Sequence, residues 1–174
     1  VNEFRFLKKC NILTLLYEQK FKTEFNFLKK LDINVFALEK MPRISRAQSM
    51  DVLSSQSNLS GYKAVIDAAS EFNKAFPLMM TSAGTVAPAK VLIIGAGVAG
   101  LQAIATAKRL GAVVSSFDVR SSTKEQVESL GAKFIEVKGE DSGETAAGYA
   151  KEMSKAYKKK QSVLLEDSIK KMDI

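Results

Sequence analysis

The stretch Lys90-Val91-Leu92-Ile93-Ile94-Gly95-Ala96-Gly97-Val98-Ala99-Gly100-Leu101 decides the fold of this chain. Val91 to Ile94 is an unbroken aliphatic run, the composition of a strand buried on both faces. Gly-x-Gly-x-x-Gly follows at once. Leu101, Ile104 and Leu110 then mark a helix that Gly111 ends. Alone, the glycine pattern is weak evidence. A strand before it and a helix after it give it the context of a phosphate-binding βαβ turn.

Each glycine in the pattern has a physical task. Gly95 makes the tight turn, Gly97 lets the backbone approach a pyrophosphate, and Gly100 allows close packing of the helix. The helix N-terminus presents N–H groups and a positive dipole end to the phosphates. The next strand, Ala112 to Phe117, stops at Asp118, eighteen residues beyond Gly100. That is close to the separation expected for a carboxylate that accepts from the adenosine ribose hydroxyls. Asp118 favours NAD over NADP, because a 2′-phosphate would meet a like charge. Arg120 keeps NADP within reach: it could pair with that phosphate, stack on adenine, or face water.

Outward from this centre, strands and helices alternate. Ser122 with Glu125 reads as a capping box opening a helix. Lys133 to Val137 reads as a strand, Glu140 to Glu144 as an acidic loop, and Tyr149 to Lys171 as a lysine-rich helix. Toward the N-terminus, Ile12 to Tyr17 and Asn34 to Leu38 read as strands flanking a helix from Thr23 to Leu31, with Thr23 as its cap. Met41 to Asp51 is polar and Pro-interrupted, a loop. Tyr62, Val65, Ile66, Ala69, Phe72 and Phe76 form one stripe of a helix from Ser54 to Phe76, ended by Pro77. Thr81 to Pro88 is a small-residue linker. The prediction is an α/β fold: a Rossmann-type parallel sheet with helices on both faces, plus part of a second α/β lobe joined by a long helix. Residues 1–53 form the partial N-terminal lobe, and 54–174 the connecting helix and partial nucleotide domain.

Composition narrows the chemistry. The chain has 174 residues, 46% hydrophobic and 26% charged, as a globular protein would. No stretch approaches the roughly 18 apolar residues of a membrane span. There is no histidine and one cysteine, Cys10, so histidine acid–base catalysis and the common zinc sets are excluded within this segment. No metal site is expected. The net charge of +7 is spread over lysine pairs such as Lys29 and Lys30. It reads as a solvated face, and no nucleic-acid partner is expected.

With these residues in hand, the chain resembles the alanine dehydrogenase and transhydrogenase family, and within it the NAD(H)-binding domain of proton-translocating NAD(P) transhydrogenases. Arg43-Ile44-Ser45-Arg46-Ala47-Gln48-Ser49-Met50-Asp51-Val52-Leu53-Ser54-Ser55-Gln56 looks like the signature loop of that group. Ala83 to Val86, Ala99 to Arg109 and Gly148 to Met153 each resemble a further stretch, and the likeness runs from Ile12 to Ile174. By similarity, Arg43, Gln48 and Asp51 serve the catalytic, nicotinamide end together with Ser54. Val98, Asp118, Arg120, Gly148 and Gln161 line the rest of the NAD site beside Gly95, Gly97 and Gly100.

The resemblance implies an enzyme in which NADH on this domain passes hydride directly to NADP+ on a partner domain not present in this chain. A proton-channel membrane domain and a second copy of this domain are the other implied partners. The implied location is membrane-peripheral, on the soluble face of a mitochondrial or bacterial inner membrane. Direct transfer needs geometry and no protein acid or base, which suits a chain without histidine. Taken without the resemblance, Arg43, Gln48 and Asp51 read first as an exposed polar loop capping the next helix. Val1 at the start and a new strand beginning at Asp173-Ile174 suggest an internal piece of a longer protein. Two other readings stand beside this one: an alanine dehydrogenase-like oxidoreductase, whose histidine is absent here, and a non-catalytic NAD-binding module.

Overall fold

The computed structural model describes residues 6, 7, 9–17, 20, 22–42, 44–137, 143 and 151–174. They divide into two compact units, Val1–Gln56 and Ser57–Ile174.

The first unit holds β1 (Asn11–Thr14), α1 (Lys22–Leu28) and β2 (Asn34–Ala37). β1 and β2 pair in parallel, Asn11 opposite Asn34 and Thr14 opposite Ala37, as a βαβ crossover requires. β1 stops short of the expected Tyr17. The reason is Glu39, whose carboxylate accepts from the N–H groups of Leu16 at 3.0 Å and Tyr17 at 2.8 Å and so turns the chain out of the strand. Thr23 lies inside α1, so it is not the cap the sequence suggested; a capping residue needs non-helical backbone. The expected loop from Met41 to Asp51 contains a 3-10 helix, Ser45–Met50, whose Ala47 is buried.

α2 (Val52–Glu71) opens on Asp51 and carries the boundary between the units. It ends five residues before the expected Phe76, so Pro77 is not its terminator. Beyond the helix, Phe76 turns into the core, edge-on to Phe72 at 6.0 Å between ring centres. The expected linker is an antiparallel hairpin of β3 (Met79–Thr81) and β4 (Gly84–Val86). Two local forces close it. Thr81 Oγ accepts from Ala83 N–H at 3.2 Å, and Gly84 takes a φ of +132°, which side-chain-bearing residues rarely adopt.

The second unit is built on β5 (Lys90–Ile94), β6 (Val113–Phe117) and β7 (Lys133–Ile135), parallel in the order β5-β6-β7. On the other edge of β5, Leu92 N–H donates to Ile174 O at 2.8 Å and Asp173 N–H to Lys90 O at 2.8 Å. The spatial order β7, β6, β5, then residues 173–174, is that of a Rossmann sheet. Ligands of such sheets gather at the strand ends where the order reverses, and here that is the C-terminal end of β5.

Two helices return the chain with the same device. α3 (Val98–Arg109) ends at Leu110-Gly111-Ala112 and α4 (Lys124–Ser129) at Leu130-Gly131-Ala132. In each, the glycine has positive φ, and the following alanine N–H reaches back to a carbonyl five residues earlier, Ala107 or Val127. Ile104 and Val127 are completely buried between these helices' neighbours and the sheet, with Val91, Val114 and Phe134 in the same core. Burial of each such side chain stabilises by roughly 1.5–3 kcal/mol.

Smaller expectations need correction. The Ser122–Glu125 capping box does not form. A 3-10 turn, Ser121–Thr123, precedes α4, and Thr123 Oγ donates to Arg120 O at 2.8 Å instead. β7 is shorter than the expected strand to Val137. α5 (Lys155–Ile169) starts later than Tyr149, because Ser154 caps it by accepting from Tyr157 N–H at 3.1 Å. The acidic loop 140–144 lies outside the described residues except for Gly143.

Candidate nucleotide site

The glycine turn is fixed by backbone contacts. Gly95 has a φ of +97° and donates its N–H to Phe117 O at 2.7 Å, which ties the turn to the end of β6. Gly100 sits so close that an added Cβ would lie 1.7 Å from Gly95 O. Its closest neighbour is therefore the turn itself more than the strand, with Ile93 Cγ2 at 3.7 Å from the same position. Gly97, with φ −82° and ψ −167°, is the N-cap of α3, and a Cβ there would meet nothing within 4 Å. Open space at the N-terminus of a twelve-residue helix is what a pyrophosphate group needs. Val98, the first residue of α3, is exposed beside it.

Asp118 follows β6 directly and is buried. Its Oδ2 accepts from Ala96 N–H at 2.7 Å, so the turn and the carboxylate are locked together. Its Oδ1 accepts from Arg120 N–H at 2.8 Å. The Arg120 guanidinium adds Nε–H to Oδ1 and Nη2–H to Oδ2, both at 2.9 Å. Burial pushes the Asp118 carboxyl up. The Arg120 side-chain bonds, with the backbone N–H groups of Arg120 and Ala96 and the arginine charge, outweigh that and hold it below the ordinary aspartate range. The carboxylate is ionised at neutral pH, as a ribose-binding acceptor must be.

The bond from Ala96 was not legible in the motif, which reads position two of the turn as any residue. The Asp118–Arg120 clasp is a correction: the sequence leaves Arg120 a phosphate, an adenine or water as its partner, and its guanidinium lies instead on Asp118. Gly143 N–H donates at 3.0 Å to the carbonyl of Val119, which stands between Asp118 and Arg120 in the chain.

The polar loop of the first unit is organised differently. Asp51 accepts from Ser54 N–H at 3.0 Å and from Ser54 Oγ–H at 2.6 Å, so it caps α2 as an exposed-loop reading proposes. Gln48 is exposed, and its carbonyl accepts from Asp51 N–H at 3.2 Å. Gln161 is half-buried on α5 with Leu164 and Leu165. Arg43 and Gly148 lie outside the described residues. Among the described residues no group of three acidic, cysteine or histidine side chains could hold a metal, and no helix is long and apolar enough to cross a membrane.

Comparison with known proteins gives this geometry relatives. The family model described as "Alanine dehydrogenase/PNT, C-terminal domain" matches residues 64–174. The first part of NAD(P) transhydrogenase subunit alpha from Rhodospirillum rubrum is 65% identical over 149 residues, 84% of this chain and 39% of that protein. The protein of the same name from Rickettsia prowazekii is 50% identical over 174 residues, 99% of this chain and 45% of that one. Among solved structures, a transhydrogenase from Sinorhizobium meliloti superposes with a TM-score of 0.82 at 50% identity, covering 94% of this chain and 43% of that one. The chain thus spans less than half the length of these relatives.

Proposed function

The chain belongs to the alanine dehydrogenase/PNT family, and from that premise we propose that it is the NAD(H)-binding portion of a proton-translocating NAD(P) transhydrogenase. The observation that carries the reading is the locked unit of Gly95, Ala96 and Asp118 under the open position at Gly97. It offers N–H donors to a pyrophosphate and an ionised acceptor to a ribose, the two halves of an adenine dinucleotide's grip. The relatives' name favours transhydrogenation over amino-acid oxidation.

Under this reading, Gly95, Gly97, Val98 and Gly100 shape the pyrophosphate cradle, and Asp118 takes the adenosine ribose. Arg43, Gln48, Asp51 and Ser54 serve the nicotinamide end, with Gly148 and Gln161 completing the site, as the family resemblance implies. NADH, when bound, supplies a hydride for NADP+ held by a partner domain. This chain's residues contribute position alone: none is asked to take or give a proton. The partners proposed are the NADP(H)-binding domain, the membrane domain that moves the proton, and a second copy of this domain. The location proposed is peripheral to an energy-transducing membrane.

Gln48 gives the sharpest test. Its amide donates and accepts hydrogen bonds but exchanges no proton at neutral pH, so its role is orientation. In the enzyme assembled with its partner domain, Gln48→Asn should slow single-turnover hydride transfer by about ten- to a hundredfold, since a misplacement on the order of 1 Å costs that much. NADH affinity should change far less. A normal transfer rate with strongly weakened NADH binding would show that Gln48 grips the cofactor and does not aim it.

A further inference from the structure

We infer that Arg120 competes for the acceptor positions a ribose diol would use, and thereby sets how strongly this site separates NADH from NADPH. The inference rests on the NAD reading given above.

An ionised carboxylate has about four lone-pair positions. On Asp118 all four are used. Oδ1 takes the Arg120 backbone N–H and Nε–H, and Oδ2 takes the Ala96 N–H and Arg120 Nη2–H. Each oxygen therefore has one backbone donor and one guanidinium donor. The backbone donors belong to the glycine turn and to the chain leaving β6, so they fix the carboxylate without blocking it. The guanidinium edge is the removable half. Its two parallel N–H groups present the same pattern as the two neighbouring hydroxyls of a ribose, a pair of adjacent donors aimed at one carboxylate. Diol and guanidinium cannot both be satisfied there.

Nor is this a loose surface pair: the side chains of Arg120 and Asp118 are 19% and 6% exposed. Exposed ion pairs exchange with water at little cost, whereas a buried one must be displaced by something that restores its hydrogen bonds. A ribose diol does so for the carboxylate, and the released guanidinium can turn to an aromatic base or a phosphate. The charge balance has the opposite consequence for NADPH. With the clasp closed, a 2′-phosphate meets a neutral pair that includes a bidentate phosphate donor, not a bare carboxylate. Arg120 thus handicaps NADH and shelters NADPH, which narrows the discrimination Asp118 would impose alone.

The test titrates this chain and two variants with NADH and NADPH, folding being checked by circular dichroism. Arg120→Met removes fork and charge; it should tighten NADH about threefold or more and weaken NADPH by a similar factor, each a hydrogen-bond-sized effect. Arg120→Lys keeps the charge without the two-pronged edge; it should tighten NADH while leaving NADPH near its original affinity. In the unmutated chain, the Arg120 Nε–H resonance should be protected from exchange when empty and should change its chemical shift on adding NADH, as its bond to Asp118 breaks. Equal weakening of both nucleotides in both variants would overturn the inference, showing that Arg120 only holds cofactor. Unchanged affinities, or an Nε–H resonance that keeps its shift with NADH bound, would overturn it as well. Those outcomes leave the NAD reading standing. Failure of the unmutated chain to bind NADH would instead remove that reading, and the competition with it.

Discussion

The glycine turn of the second unit and the polar loop of the first are both built around an aspartate, but what holds each aspartate differs. Asp118 is buried and clamped by backbone N–H groups from the turn and from its own strand end, with Arg120 as the movable partner. Asp51 is held by Ser54, through one backbone and one hydroxyl donor, and in doing so it starts a helix. In the turn, geometry is imposed by backbone that has no alternative path. In the loop, two of the side chains that the family resemblance assigns to a cofactor, Asp51 and Ser54, are engaged in local capping. A site of the first kind is formed before its ligand arrives; one of the second kind exchanges a local bond for a ligand bond.

The difference is easiest to break at Gly100. An added Cβ would fall 1.7 Å from the Gly95 carbonyl oxygen, a backbone atom that cannot rotate away. Gly100→Val should therefore displace the start of α3 or the turn and destabilise the chain by about 3 kcal/mol or more, at the upper end of overpacking costs. Thermal or denaturant unfolding reads this directly. A variant with an unchanged midpoint would mean that the turn is not as rigid as the contacts imply.

Gly97 sharpens the same contrast from the other side. Its φ of −82° is ordinary and a Cβ meets only open space, so Gly97→Val should cost no more than about 1 kcal/mol, the penalty of an aliphatic residue at an N-cap. Binding should still fall by about tenfold or more, because the added side chain fills the volume a pyrophosphate needs. NAD and ADP-ribose should lose affinity by the same factor, the damage lying away from the nicotinamide. Unchanged ADP-ribose binding in a folded variant would place the cofactor elsewhere.

Asp51 should show the smallest effect. Asp51→Ala removes the cap of α2 and should cost about 1 kcal/mol, much of it restored by Asp51→Ser, which still accepts from the helix N-terminus. ADP-ribose binding should not respond. If it weakened as much as in the Gly97 variant, the loop would be part of the adenosine grip and the contrast between the two regions would fail.

What the sequence disclosed follows the same division. The strand–turn–helix–strand order of Val91 to Phe117 was readable because glycine spacing and helix end describe backbone, and backbone rules are local. The positive φ of Gly95 and of Gly111 follows from those rules. The burial on both faces expected of Val91 to Ile94 was not found, since only Val91 is buried and Ile94 is 59% exposed. The hairpin at Met79–Val86 was not readable, since Thr81 and Gly84 close a turn without the usual hairpin pair of residues. The early stop of α2 was hidden because Phe72 and Phe76 keep helical spacing after the helix has ended, both turning to the core. Asp118 was identified by its distance from the turn. Its bond to Ala96 depends on how strand end and turn meet in space, which no local spacing encodes. Its clasp by Arg120 is local, but the spacing does not say that the guanidinium folds back on the carboxylate.

The central claim is that Asp118, locked to the glycine turn, receives the adenosine ribose of NAD(H). The most direct measurement is a side-by-side titration of the unmutated chain and Asp118→Ala with NADH and NADPH. NADH should bind more tightly than NADPH to the unmutated chain, and Asp118→Ala should narrow that gap, mainly by weakening NADH. Equal dissociation constants for the two nucleotides before mutation, or a gap that survives the loss of the carboxylate, would contradict it.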